Sequence, residues 1–388
     1  MSDMIKEKDR IGKYLIPHLQ DYIFDELSDA YLEKAGVKDI LGGVPVPVNR
    51  NELQGGITVL NIALSMAFVI GCDPSFEHRD NYVQYILRNF DKRFADGLIA
   101  QGVEGADKKD FDYACIKFRA AMLIDPDNAG AYYCYGRACK DAYEIGEEEE
   151  FIGRFKAEAL EAFEVATLKD PEFADAYYYL GYAYLNMGLY VKAKLTWEKY
   201  VELLDKKVLT QAESGEMTSG MISGTAEKVL AANDSELNEI KELREEITGR
   251  LAQLEEPVKI EEGYNLILTE KYEEGIRALL PYTEGKFKTW WPLWYYLGMA
   301  YSGMGDNDKA KESFLEVLKL SPSNEDTMEK LVEIYKAAGD EGKVEKYSKK
   351  LELVRLNREE DKKLVEEKGD PAGTPDVMFD CKISEKLS

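Results

Sequence analysis

Histidine is nearly missing from this chain: His18 and His78 are the only two in 388 residues, and they stand far apart. No His-Glu-x-x-His spacing exists to hold zinc, so no metal site is expected. A phosphate-cradling glycine loop is also missing, because the glycines fall at helix ends and packing positions. Cysteine is scarce, with five residues and no paired spacing. That pattern excludes a disulfide framework and fits a reducing compartment, here expected to be the cytoplasm. Cys115, Cys134 and Cys139 read as small apolar fillers of helices, and Cys381 as a tail residue. Long apolar runs are absent too. The most apolar stretch, 57–72, contains Asn61 and Ser65 and is too short to cross a bilayer comfortably, so it reads as a buried helix. Residues 1–10 lack the apolar core of a signal peptide. Positive charge is in deficit: 50 basic side chains face 74 acidic ones, a formal charge of −24. A field of that sign repels phosphate backbones and anionic lipid, which leaves neutral or basic polypeptides as the expected partners, with no nucleic acid and no membrane. The same charge serves equally to keep an extended array soluble. Acidic pairs occur everywhere and read as solvated helix faces, so no catalytic residue, no cofactor and no enzyme activity are expected.

What the chain does have is a register. Pro126, Pro171 and Pro322 are each followed six residues later by a bulky residue that opens a helical run: Tyr132, Tyr177 and Met328. The unit is clearest between Trp294 and Pro322. Trp294, Leu297 and Tyr301 recur at three- and four-residue spacing and share one helix face, with Gly298 beside them. Lacking a Cβ, Gly298 admits a second helix at close range. After a break at Gly303–Asp306, a second stripe runs Ala310, Phe314, Val317, Leu318. Ala310 and Phe314 fill the space the glycine leaves, and Pro322 ends the helix because its ring replaces an N–H.

These residues resemble the tetratricopeptide repeat, whose Trp-x2-Leu-Gly-x2-Tyr, Ala, Phe, Ala and Pro pattern recurs over about thirty-four residues. Tyr177, Leu180, Gly181, Tyr184, Ala193 and Trp197 fit the same positions, with Tyr200 where the family prefers Ala. Tyr132, Tyr135, Gly136, Ala159, Phe163, Ala166 and Pro171 make another copy, interrupted by an insertion of roughly eleven residues around Glu147–Glu150. Weaker copies surround Ala114, Phe118 and Ala121 (first helix degenerate near Leu98 and Gly102), Gly263 to Leu279, and Met328 to Leu351. The resemblance implies an all-α fold, a solenoid of stacked helical hairpins with a helical N-terminal cap and a disordered C-terminal tail.

Five regions follow. Residues 1–91 are a helical region of unknown role. In it Ile11, Leu15, Leu19, Tyr22, Ile23 and Leu27 suggest a helix broken at Pro17, and Gly42–Asn51 an extended segment, since each Pro biases its predecessor away from helix. That segment is a connection between helices or a docking strand. Residues 92–207 form the first array. Residues 208–233, rich in Ser, Gly and Thr, read as a flexible linker, or as a segment that folds on binding through Met217, Met221 and Ile222. Residues 234–358 hold the second array, opened by a Leu237–Leu254 heptad seam that packs on its neighbour or self-associates through 235–256. Residues 359–388 are the tail.

Repeats of this kind bind. Residues beside the packing positions line the concave surface: Tyr133, Arg137 and Lys140, then Tyr178, Tyr182 and Leu185, then Tyr295, Met299 and Ser302. Phenol rings offer a rigid apolar face and one hydroxyl, suited to an extended or helical peptide, including one with Arg or Lys held by cation–π contact. Several of these Tyr have an alternative use in packing between repeats. Trp294 is expected to be buried; of Trp290 and Trp291, one is expected to staple the start of the helix and the other, Trp291, to anchor a partner. Two rival readings remain: a helical enzyme or its regulatory subunit, with a pocket near His78, Arg79 and Asp80, and a self-assembling structural protein.

Overall fold

The computed structural model of the protein describes residues 9–50, 58–218 and 226–368. The chain divides into two compact units, 1–183 and 184–388. Among the described residues both are helical, apart from one strand pair in the first.

The first unit begins with α1 (Gly12–Leu15), a 3-10 turn (Ile16–Asp21) and β1 (Tyr22–Asp25). Next come α2 (Asp29–Ala35), α3 (Lys38–Leu41) and β2 (Val46–Asn49). The helix expected through Ile11–Leu27 therefore stops at Asp21. Pro17 sits in the tight turn, and Tyr22 and Ile23 pair antiparallel with Asn49 and Val48. Within the Gly42–Asn51 segment expected to be extended, Gly42 and Gly43 turn, Val46–Asn49 form β2, and Asn51 lies outside the described residues; the partner strand is this chain's own. Pro47 is tolerated there because a two-stranded sheet consists of edges.

Helix α4 (Val59–Cys72) is the buried apolar helix, and α5 (Arg79–Phe90) follows. Tyr82 donates its hydroxyl to the Pro45 carbonyl at 2.6 Å, and Arg88 grips Asp39 through two nitrogens at 2.7 and 2.9 Å. These bonds tie α5 to the strand-bearing segment. Helix α4 in turn lies on the first hairpin, since a Cβ on Gly71 would stand 2.2 Å from the Ile116 carbonyl oxygen. No helix among the described residues is long and apolar enough to cross a membrane.

The hairpins of the first unit are α6 (Phe94–Asp107) with α7 (Phe111–Ile124), and α8 (Ala129–Ile145) with α9 (Glu149–Lys169); α10 (Ala174–Asn186) follows. The copy that looks degenerate around Leu98 is a complete hairpin. A Cβ on Gly102 would meet the Phe118 ring at 2.6 Å, and one on Gly136 the Phe163 ring at 2.7 Å. Asn128, two residues after Pro126, caps α8 by accepting from the Ala131 N–H at 3.1 Å.

The second unit carries α11 (Tyr190–Thr218), α12 (Ala226–Gln253), α13 (Glu255–Leu268), α14 (Tyr272–Leu279), α15 (Trp291–Gly303), α16 (Asn307–Leu320), α17 (Glu325–Ala337) and α18 (Glu341–Lys368). Much of the expected 208–233 linker is therefore helix, with Met221 and Ile222 outside the described residues. Likewise α18 carries the first ten residues of the expected tail, and 369–388 lie outside the described residues. The heptad seam is buried in the chain's own packing at Ile240, Ile247 and Leu254, with α12 against α11. Leu237, Leu243 and Leu251 of the same seam are half-buried. Gly298 repeats the lock, its missing Cβ leaving the Phe314 ring 2.6 Å away. Tyr190, Ala193, Trp197 and Tyr200 are all buried. The buried Glu261 carboxylate accepts from the Val191 N–H at 2.8 Å and so supplies negative charge at the start of α11.

One turn recurs in both units. Between paired helices a residue in left-handed conformation is followed by one whose N–H returns to a carbonyl five residues back. Asp110 bonds Gly105 and Asp306 bonds Tyr301, each at 2.9 Å. The left-handed position is Gly305 in the regular copy but Lys109 and Glu270 in two weak ones, at φ of 62° and 64°. A side chain there is strained, which is why those copies look irregular in sequence while folding alike.

Candidate peptide-binding faces

In the first unit, α8 presents Tyr133, Arg137 and Lys140 on one stripe, and α10 presents Tyr178 and Tyr182. The structure brings most of these together around two residues the sequence reading did not choose, Phe173 and Tyr179. The Tyr133 ring lies 4.9 Å from Phe173 and 6.0 Å from Tyr179. Arg137 sits with its guanidinium 4.4 Å from the Tyr179 ring centre, and its Nη1 donates to the Tyr133 hydroxyl at 3.1 Å. Tyr178 meets Tyr179 and Tyr182 edge-on, each at 5.1 Å. Burial pushes the Tyr133 phenol above its ordinary value, so it stays a neutral donor and acceptor at physiological pH.

The cations of this face are spent internally. Arg137 is stacked on the rings, and Lys140 pairs with Glu144 at 2.6 Å and Asp141 at 3.7 Å. What is left is a half-buried aromatic surface with engaged positive charge. Several of its phenols therefore have a packing duty as well.

In the second unit, Trp291, Tyr295 and Met299 share a stripe of α15. Trp291 touches Tyr295 edge-on at 6.3 Å, and Tyr295 packs 5.9 Å from Phe314. The tryptophans divide differently from expectation. Trp290 is buried at the N-cap position of the helix, while Trp291 and Trp294 are both half-buried. Trp294 stays partly open because its indole N–H donates to the Lys288 carbonyl at 2.8 Å, in the turn that precedes the helix.

Beside Tyr295 stand Asp326, Glu329 and Glu333 of α17, spaced three and four apart on one face. Burial first, and then these carboxylates together with Tyr296, push the Tyr295 phenol up to about 12. Glu329 pairs with Arg355 and Glu333 with Lys330, yet both carboxylates remain exposed. The sequence reading missed them. The offset that selected Tyr133 beside Tyr132 selects Glu329 beside Met328, so the signal was present. Leu185, at the end of α10, is half-buried and accepts from the Gly188 N–H through its carbonyl at 2.9 Å.

Comparison with known proteins adds the family. One tetratricopeptide-repeat family model matches residues 291–324 and another matches 162–194. No curated protein sequence matches. Among solved structures, a crystal structure of MamA is similar at 16% identity, covering 67% of this chain and 96% of that one, with a TM-score of 0.23. A second MamA crystal structure is similar at 17% identity over 73% and 99%, with a TM-score of 0.21. The APC/C hetero-tetramer Cut9-Hcn1 is similar at 14% identity, covering 90% of this chain and 56% of that one, with a TM-score of 0.30. Two matched repeats, and a glycine–phenylalanine lock built alike at Gly102, Gly136 and Gly298, show that the chain carries tetratricopeptide repeats, modules that in general serve protein-interaction scaffolds.

Proposed function

We propose that the chain is a non-catalytic cytoplasmic scaffold that captures a neutral or basic peptide segment on the first-helix faces of its repeats. The observation that carries this reading is the α15–α17 face. There Trp291, Tyr295 and Met299 supply apolar contact, and Asp326, Glu329 and Glu333 supply negative charge beside it. A segment bearing Lys or Arg at helical spacing matches both properties, with cation–π contact to the phenols and ion pairing to the carboxylates. The aromatic face of α8 and α10 supports the same class of partner through stacking.

The test is fluorescence anisotropy with labelled amphipathic peptides that differ only in Lys against Glu at the polar positions. The Lys series is expected to bind and the Glu series not. Glu329→Lys with Glu333→Lys should weaken the Lys series by about tenfold, the equivalent of 1.4 kcal/mol. Equal binding of both series, or no loss in the double variant, would remove this face from the account.

A further inference from the structure

The first unit contains a cavity of about 1400 Å³ that the peptide-face reading does not use, and the two share no residue. It is lined by Arg79 and Asp80, as the pocket reading of this region expected, whereas His78 packs edge-on against Phe76 at 5.8 Å. Its chemistry is two-sided. Ile16, Phe76, Met122 and Leu123 give it apolar walls, and Arg119 on α7 gives it a cation.

Arg119 is only 5% exposed, and a guanidinium so buried requires a counter-charge. Asp9 provides it, accepting from Nη2. The neighbouring Nη1 is equally enclosed and has no hydrogen-bond partner among the described residues. A fork built for two parallel bonds is thus half used. The other acid close by is committed: Glu158 accepts from the Tyr135 hydroxyl at 2.7 Å and from Arg10 Nη1 at 3.2 Å. Asp9 is also tied to the start of α1, its Oδ1 accepting from the Ile11 N–H at 3.3 Å and the Gly12 N–H at 3.1 Å.

We propose that this cavity binds a small monocarboxylate with an apolar body. Its carboxylate takes the Arg119 fork in place of Asp9, and its hydrocarbon lies along Phe76, Met122 and Leu123. Asp9 demonstrates that the fork accepts a carboxylate, and it occupies that position until a ligand displaces it. The lining charge selects against phosphate: five carboxylates (Asp9, Asp73, Glu77, Asp80, Glu158) face four cations (Lys13, Arg79, Arg119, Arg154), a poor field for a dianion.

The full-length chain would be titrated calorimetrically with hexanoate, acetate and inorganic phosphate. Hexanoate should bind, acetate more weakly for want of an apolar body, and phosphate not at all. Asp9→Ala removes the internal competitor and should tighten hexanoate at least tenfold. It should also lower Tm by leaving Arg119 unpaired, and acetate should restore part of that loss. The pair Arg119→Met with Asp9→Asn deletes both charges together, keeps the fold, and should abolish binding. Hexanoate binding unchanged in that pair would overturn the assignment. So would no binding in either the parent or Asp9→Ala, or phosphate binding as tightly as hexanoate.

Discussion

The α8–α10 face of the first unit and the α15–α17 face of the second are built on one plan and finished differently. Both rest on a glycine that lets a phenylalanine ring of the paired helix close to within 2.7 Å of where a Cβ would stand. Both place an aromatic one residue after the first packing position, Tyr133 in one and Tyr295 in the other. On the first face that ring is joined by an arginine, which the neighbouring phenols consume. On the second it is joined by exposed carboxylates from the next helix. Packing positions are held by sterics and barely vary. The offsets beside them are free to vary, and the proposed function places recognition there.

The largest effect is expected where the shared plan is broken. Gly298→Leu forces a side chain into the space of the Phe314 ring and should cost about 1–3 kcal/mol in chemical denaturation, with Gly136→Leu matching it. A parent-like midpoint for either variant would show that the two hairpins do not share a lock. Next, Tyr178→Ala with Tyr182→Ala should leave the melting curve nearly intact and weaken a Lys-bearing peptide roughly tenfold, about 1.4 kcal/mol. Loss of stability instead would assign that face to packing alone and sharpen the contrast with α15.

Smaller effects distinguish the turns. Lys109→Gly relieves a left-handed side chain and should stabilise the first hairpin by about 1 kcal/mol or less, whereas Gly305→Ala should destabilise its own turn by a similar amount. Opposite signs are the signature of a common turn geometry. Smallest is a pH dependence. The folded Tyr295 phenol is raised from 10.0 to about 12, so the folded state holds its proton more tightly than the unfolded one. Its contribution is complete below pH 10 and is lost as pH rises towards 12. Tyr295→Phe, which cannot ionise, should unfold less steeply across that window, followed by circular dichroism.

Much of the repeat was legible. The proline register, Gly298 with Phe314 and Gly136 with Phe163 are local patterns of fixed spacing, and they correspond to real hairpins. Other elements misled for definable reasons. Ile11, Leu15, Leu19 and Tyr22 carry helical spacing, but Tyr22 and Ile23 take their backbone partners from Val48 and Asn49, and no local pattern announces a distant strand. The small polar composition after Asp205 suggested a linker, yet α11 runs on to Thr218, because a helix already nucleated continues through residues that would not start one. For the faces, the offset rule puts Tyr178 beside Tyr182 and Trp291 beside Tyr295, and those rings meet. It gave no sign that Arg137 would be stacked on Tyr179, a residue of another repeat.

By itself, then, the amino-acid order settled the hairpin unit, its helix stops and which residues occupy each stripe, because spacing along a helix maps directly onto its faces. Only the tertiary structure decided which charges remain available and which are consumed, and that Arg119 would be enclosed with half its fork unused. Burial and pairing depend on groups far apart in the chain, and their distances exist only once the helices have packed.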